Sequence, residues 1–357
     1  MIHRIRTIDA HAAGEPLRLI TGGFPAPVGR TMLEKRAWVK KHADHLRKAL
    51  MWEPRGHLDM YGALLTEPVT KEAAAGVLFM HNEGLSTMCG HGVIAVVTIA
   101  LERGLLPAGR QPGEIVLDAP AGTIRAAARI ATGASAHSHA GRVPADASEP
   151  PGEPHEHVQV ESVAFVNVPS FVSVAGLPIR VGTKEVKVDV AFGGAFYAVV
   201  DSEAVGLPID AAHLQDLRRV GMVIKHAVES AVPIAHPAEP GLKGIYGTIF
   251  TGPARHPDAD LRNVTIFADA EVDRSPCGTG TCAVMALLDA MGLLPSDRSF
   301  VHESLIGTLF RGRVVGRETV GDLPAIRPEI EGSAWITGEH TFLVDDDDPL
   351  KGGFRIL

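Results

Sequence analysis

The alternation of apolar and polar positions divides the chain into many short strands and a few helical stretches, the pattern of a mixed α/β protein. Residues 33–50 (LEKRAWVKKHADHLRKAL) place Leu33, Ala37, Ala43, Leu46 and Leu50 close to helical spacing with charges between them, which predicts one amphipathic helix. Pro54 and Gly56 punctuate the chain, and short β-rich runs follow at 60–66 and 76–81. Glu114-Ile115-Val116-Leu117 and Thr123-Ile124-Arg125 read as strands joined by a Pro120-Ala121-Gly122 turn. Strand character returns at 160–163, and after 180–183 the chain passes into 188–194. A helix is predicted near 210–230, with strands near 245–251, 263–268 and 335–344. Residues 131–157, rich in Ala, Ser, Gly, Pro and His, lack periodicity and read as an exposed polar insertion. The loose spacing of His137, His139, His155 and His157 gives no packing to orient metal ligands, so no metal site is expected there. The acidic run Asp345-Asp346-Asp347-Asp348-Pro349 reads as a solvated turn, because contiguous acids do not alternate as a calcium loop does.

Composition narrows the function classes. The 357 residues suggest two domains, and 45% hydrophobic content suffices for a substantial core. Lys+Arg 34 against Asp+Glu 42 leaves a net charge of −8, which argues against nucleic acid as a partner. The run 93–101 is far shorter than the ~20 residues of a membrane span, and no signal-peptide core follows the basic N-terminus. No membrane association is expected. The three cysteines are too few for a disulfide scaffold, so a reducing, cytoplasmic compartment is the expectation.

All three cysteines lie beside or close to glycines, and two of them mark an internal repeat. Residues 89–96 read Cys-Gly-His-Gly-Val-Ile-Ala-Val, and residues 277–284 read Cys-Gly-Thr-Gly-Thr-Cys-Ala-Val, with five of eight positions identical in register. Helix-compatible apolar residues follow each block, which implies two similar halves, each presenting a Cys-Gly-x-Gly turn at a helix start. A thiol at a helix N-terminus lies at the positive end of the dipole, where its pKa of ~8.5 can fall to between ~3.5 and ~7.5. The glycines let a ligand approach the backbone, and free N–H groups there suit a carboxylate. His91 in the first half and Asp273 in the second add groups suited to a protonated amine, so the implied ligand is a small amino acid. A thiol on each face of Cα is what inversion of configuration requires: one removes the proton and the other delivers one.

With these motifs in view, the chain resembles the proline racemase family. The matches are Met88-Cys89-Gly90-His91-Gly92 and Asp273-Arg274-Ser275-Pro276-Cys277-Gly278-Thr279-Gly280-Thr281, supported by Asp9-Ala10-His11-Ala12-Ala13-Gly14-Glu15-Pro16, Glu53-Pro54-Arg55-Gly56-His57 and Phe192-Gly193-Gly194-Ala195-Phe196-Tyr197. The resemblance implies an α/β (α+β), diaminopimelate-epimerase-like fold: two pseudo-symmetric domains, each a curved mixed sheet around a central helix, with the active site in the cleft. It implies catalysis without pyridoxal phosphate, metal or other cofactor, on a small-molecule substrate, proline or a hydroxyproline. Cys89 and Cys277 would be the paired acid/base thiols. Gly90, His91, Gly278 and Thr279 would hold the carboxylate, and Asp273 with His91 would meet the ring nitrogen. The expected division is 1–185 for the domain carrying Cys89 and 186–339 for that carrying Cys277, with about 340–357 packing back onto the first. The oligomeric state is left open, a homodimer included.

The family divides by chemistry. Racemases and 4-hydroxyproline 2-epimerases keep both cysteines, as this chain does, whereas trans-3-hydroxy-L-proline dehydratases usually carry Thr at the position of Cys277. Yet Asp59-Met60-Tyr61-Gly62, Phe79-Met80-His81-Asn82-Glu83-Gly84 and Tyr246-Gly247-Thr248-Ile249 resemble the dehydratase branch. The catalytic pair is weighted above these flanks, so a racemase or epimerase is expected and a dehydratase is the alternative. A non-catalytic amino-acid-binding module is the remote third reading. Cys282 falls about 140° around a helix from Cys277 and is expected to be core. His11 and His57 are expected to serve packing or support.

Overall fold

A computed structural model describes residues 1–106, 113–131 and 158–356. The chain begins with β1 (Ile2–Ala12), β2 (Glu15–Gly22), α1 (Met32–His42), α2 (Asp44–Met51), β3 (Tyr61–Thr66), β4 (Ala75–His81), α3 (Gly90–Glu102), β5 (Glu114–Ala119), β6 (Gly122–Ile130) and β7 (Val160–Val166). It continues with β8 (Ser170–Val181), β9 (Lys184–Phe192), β10 (Phe196–Asp201), α4 (Ser202–Val205), α5 (Leu214–Ala231), β11 (Gly247–Pro253), β12 (Leu261–Phe267), β13 (Glu271–Asp273) and α6 (Gly278–Ala290). The last strands are β14 (Phe300–Glu303), β15 (Leu309–Val320), β16 (Leu323–Gly332) and β17 (Ala334–Asp345).

The pairing repeats. In the first set, β2 runs parallel to β3, β3 antiparallel to β4, β4 parallel to β5, and β5 antiparallel to β6. In the second, β10 runs parallel to β11, β11 antiparallel to β12, β12 parallel to β14, and β14 antiparallel to β15. The flanking pairs match too: β17–β1–β2 answers β8–β9–β10, and β6–β7 answers β15–β16. Each parallel step needs a crossover. In the first set α1 and α2 make one and α3 the other; in the second α5 and α6 do. The fold is thus mixed α/β, two similar curved sheets each wrapped on one helix, and β16 joins them through β7 and β8.

The two central helices explain themselves by composition. α3 (GHGVIAVVTIALE) is apolar all round and buried from Gly90 to Ala100. α6 (GTGTCAVMALLDA) is buried from Gly278 to Ala286. A helix without a polar face is stable only inside a core. One core cluster contains both, together with Phe79, Phe165, Tyr197 and Phe310. No helix among the described residues is long and apolar enough to cross a membrane.

The helix expected over 33–50 is instead two, broken at Ala43, whose backbone (φ −131°, ψ 12°) leaves the helical region. The break serves a buried cation. Arg47, 2% exposed, bonds Asp44 and donates to the carbonyls of His81 (2.7 Å) and Asn82 (2.5 Å) at the end of β4. The histidines expected to lie in a polar insertion fall outside the described residues.

Candidate active site

Cys89 and Cys277 occupy the N-cap positions of α3 and α6. Each thiol takes the capping role usually filled by a hydroxyl or carboxylate: the Gly92 N–H donates to Cys89 Sγ (3.2 Å) and the Gly280 N–H to Cys277 Sγ (3.4 Å). The first residues of each helix, Gly90 and His91, and Gly278 and Thr279, have N–H groups with no intrahelical acceptor. The two helix starts touch. A Cβ on Gly90 would lie 2.5 Å from the Gly278 Cα, and one on Gly278 would lie 2.6 Å from the Gly90 Cα. Only glycine permits this approach, and it sets both thiols at one junction between the halves.

The polar surroundings differ. On the first side, His91 Nδ1 lies 3.3 Å from Cys89 Sγ and 3.9 Å from Asp273 Oδ2. On the second, Cys277 Sγ lies 3.8 Å from the hydroxyls of both Tyr197 and Thr279, which bond each other at 2.6 Å. Asp273 ends β13, and its Oδ1 accepts from the Ser275 N–H (2.8 Å) and hydroxyl (2.7 Å). Ser275 Oγ then accepts from the Cys277 N–H (3.0 Å). One carboxylate oxygen is thus committed to shaping the turn, while the other faces His91. The predicted residues Cys89, Gly90, His91, Asp273, Cys277, Gly278 and Thr279 therefore all converge.

Electrostatics correct one expectation. Neither thiol is held below the usual range: burial, then the Asp273 carboxylate, push both Cys89 and Cys277 well up. The thiols are 4% and 5% exposed, and this desolvation outweighs the capping N–H bonds that act in the opposite direction. Burial also holds His91 below the ordinary imidazole value, so the ring is neutral at pH 7. Burial thus favours the protonated form of both thiols. Cys282 is fully buried in α6, where burial raises its thiol to about 12. His11 stacks on Trp335, and His57 is exposed.

Sequence reasoning missed a set of hydroxyls and acids. All three tyrosines of the chain gather at the thiols. Tyr61 meets the His91 ring edge-on at 4.7 Å, Tyr197 approaches Cys277, and the Tyr246 hydroxyl lies 3.2 Å from that of Tyr61. Their scarcity, and the position of each inside a quoted motif, was the available signal. Glu15 crosses between the halves, accepting from the Arg274 N–H (2.7 Å), and Asp59 does the same for the Val272 N–H (3.2 Å). Burial, then Asp273, push the Glu15 carboxyl well up. His81 and Glu271 form a further buried contact across the halves at 3.2 Å.

The Proline racemase family model matches residues 7–149 and 137–355. The chain is 48% identical over 350 residues to a trans-3-hydroxy-L-proline dehydratase of Bacillus cereus, covering 98% of this chain and 97% of that one. It is 42% identical over 355 residues to a 3-hydroxyproline 2-epimerase of Burkholderia multivorans, covering 99% of this chain and 98% of that one. Among solved structures, a hydroxyproline epimerase from Agrobacterium vitis with bound trans-4-hydroxy-L-proline superposes with a TM-score of 0.85 at 29% identity, covering 99% of this chain and 95% of that one. The chain belongs to the proline racemase family, and it is an enzyme, an isomerase or a lyase.

Proposed function

We propose that the enzyme inverts Cα of proline or a hydroxyproline, most readily a hydroxyproline, by a cofactor-independent exchange of protons with Cys89 and Cys277. The observation that carries this reading is the pair of thiols capping two abutting helix starts. A substrate carboxylate at the N–H groups of Gly90, His91, Gly278 and Thr279 would lie on the positive ends of two helices. The ring ammonium would meet Asp273 Oδ2, with His91 beside it. That cation offsets the carboxylate charge that helps to hold both thiols protonated, so binding itself eases formation of a thiolate. The thiolate takes the Cα proton, the opposite thiol protonates the other face, and the aligned N–H donors stabilise the enolate-like charge on the carboxylate. Donors of this type are worth about 3–4 kcal/mol each in a closed site. The hydroxyls of Tyr61, Ser86 and Tyr246 give the wall a polarity that suits a hydroxylated ring.

A second reading, dehydration of trans-3-hydroxy-L-proline, is favoured by the 48% identity to a dehydratase of that substrate. It needs one thiolate for Cα and loss of the 3-hydroxyl. Proton NMR in D₂O separates the two, with L-proline, trans-4-hydroxy-L-proline and trans-3-hydroxy-L-proline as substrates. Deuterium at Cα with the opposite configuration supports inversion. Conversion of the 3-hydroxy substrate to a pyrroline without an epimer supports dehydration, and no exchange with any of the three overturns both.

A further inference from the structure

We infer that Glu15 and Asp59 are positioning residues: from the first half they hold the backbone on either side of Asp273, and so set its free carboxylate oxygen against the ring ammonium of the substrate. The inference rests on the reading above, in which Asp273 Oδ2 meets that ammonium. Asp273 belongs to the second half, and His91, whose Nδ1 lies 3.9 Å from that oxygen, belongs to the first. The pair exists only if something fixes one half against the other at this point.

β13 is poorly equipped to do so alone. It is three residues long and pairs with β12, Thr265 opposite Asp273 and Phe267 opposite Glu271. Successive N–H groups of a strand point to opposite edges, so those of Val272 and Arg274 share the edge that β12 does not cover. There each donates to a carboxylate of the first half: the Val272 N–H to Asp59 Oδ1 (3.2 Å) and the Arg274 N–H to Glu15 Oε2 (2.7 Å). Two side-chain oxygens thus stand where a neighbouring strand would present its carbonyls, one on each side of Asp273. Both clamps are themselves held. Arg218 bonds Asp59 Oδ2 (2.5 Å) and the Ala270 carbonyl (2.6 Å), tying Asp59 to the turn that leads into β13. The Arg274 guanidinium reaches back to Glu15 Oε2 (3.3 Å) and the Asp59 carbonyl (3.2 Å). Asp59 keeps a left-handed backbone, φ +60°, of the kind that persists where the surroundings over-determine it. Glu15 is fully buried, Asp59 is 3% exposed, and Glu15 Oε1 has no hydrogen-bond partner among the described residues. Burying two carboxylates is costly, and the residue they flank is Asp273. Its Oδ1 is tied to Ser275, which orients the carboxylate within its own turn; Glu15 and Asp59 orient that turn against His91.

The competing role is purely structural: two buried carboxylates that join the halves without bearing on the amine. The test is calorimetric titration of the full chain with Cys89 and Cys277 both replaced by alanine, so that nothing turns over. Each protein takes two ligands: whichever of L-proline and its trans-4- and trans-3-hydroxy derivatives binds most tightly, and the same molecule with a methylene in place of the ring nitrogen. The ratio of the two affinities reads the ammonium contact, while the carbocyclic ligand alone reads the carboxylate cradle and the fold. Asp59→Ala and Glu15→Met each remove one acceptor. Each should lower the ratio on the order of tenfold, the worth of one charge-assisted hydrogen bond, with carbocyclic affinity kept within about twofold. Asp59→Asn and Glu15→Gln remove the charge but keep an oxygen for the N–H, and should hold the parent ratio. Added to Asp273→Ala, the acceptor-removing changes should lower the ratio no further. Each of them cuts a different bond, so if one does not fold the other decides. An unchanged ratio, or an equal loss of both ligands in a chain that still melts cooperatively, overturns positioning in favour of a structural role. An equal fall in Asp59→Asn and Glu15→Gln overturns it in favour of charge alone. A ratio unmoved by Asp273→Ala, or a parent that binds none of the three amino acids, overturns the underlying reading of the site, and the positioning role with it.

Discussion

The turn at Cys89 and the turn at Cys277 share a frame and differ in what that frame costs. Both cap a thirteen-residue apolar helix and accept from the glycine three positions on. Cys89 does so from an extended backbone, φ −148°, whereas Cys277 holds φ +61°, where a residue with a side chain is strained by about 1–3 kcal/mol. The Asp273–Ser275–Cys277 bond chain supplies the restraint that keeps the strained turn in place. The partner two residues on differs as well: an imidazole, His91, in the first half and a hydroxyl, Thr279, in the second. Duplication thus explains the shared geometry of the two turns, and the divergent neighbours give each thiol its own surroundings.

The sharpest way to break this comparison is to remove one thiol at a time. If inversion uses both faces, Cys89→Ala and Cys277→Ala each lose racemisation or epimerisation on the order of 10³-fold, read by NMR as epimer formation. A large loss from Cys89→Ala with little from Cys277→Ala would make the second turn a spectator and favour single-base dehydration. Next in size is the backbone junction. Gly90→Ala and Gly278→Ala each drive a Cβ into the facing Cα, and each should lower unfolding free energy by about 3 kcal/mol in urea titrations. Gly84→Ala is the control, since nothing lies within 4 Å of its added methyl. Unequal costs at Gly90 and Gly278 would show that the contact is not the symmetric constraint described above.

Much of this site was legible because the repeat is written in the residues themselves: a Cys-Gly-x-Gly block before an apolar helix twice over has few structural explanations. The two-helix, two-sheet plan followed from the resemblance. The strand order was not legible, since pairs such as β16 with β7 and β12 with β14 join segments far apart in sequence, which the local alternation of one strand does not record. The thiol pKa direction was misread for a physical reason. A helix N-terminus favours the thiolate locally, but desolvation depends on how tightly distant segments close over it, which no local motif records. Tyr61, Tyr197 and Tyr246 come from β3, β10 and the approach to β11, and only the fold brings them together.

A smaller effect separates the halves by pH. The residue four positions after Cys277 is Thr281, whose hydroxyl lies 2.9 Å from His302 Nδ1, while the corresponding residue of the first half is Val93. His302 is fully buried, and burial lowers its pKa to about 3. The folded state therefore disfavours the imidazolium, so this contribution is complete above the unfolded value of about 6.5 and is lost as pH falls toward 3. Between pH 7 and pH 5 the loss is about 2 kcal/mol. Urea titrations at the two pH values should show that difference shrinking in His302→Asn. An identical difference in the variant would assign acid sensitivity elsewhere.

The smallest expected effect bears directly on the strained turn. Replacing either cysteine by glycine removes the same buried sulfur, and adds the same backbone entropy to the unfolded chain, about 0.5–1 kcal/mol. The native conformations differ. Glycine adopts φ near +61° at no steric cost, whereas at φ −148° it gains nothing over cysteine. Cys277→Gly should therefore be more stable than Cys89→Gly by about 1 kcal/mol, the lower end of the strain expected for such a backbone. Thermal unfolding of the two variants under reducing conditions measures it, with Cys89→Ala and Cys277→Ala as references that keep a Cβ. If the two glycine variants fall equally below their alanine references, Cys277 is not strained and the two turns differ only in their neighbours. If Cys277→Gly stands higher, the strain belongs to the second turn alone, and the Ser275 bond to its backbone is what holds that sulfur in position against it.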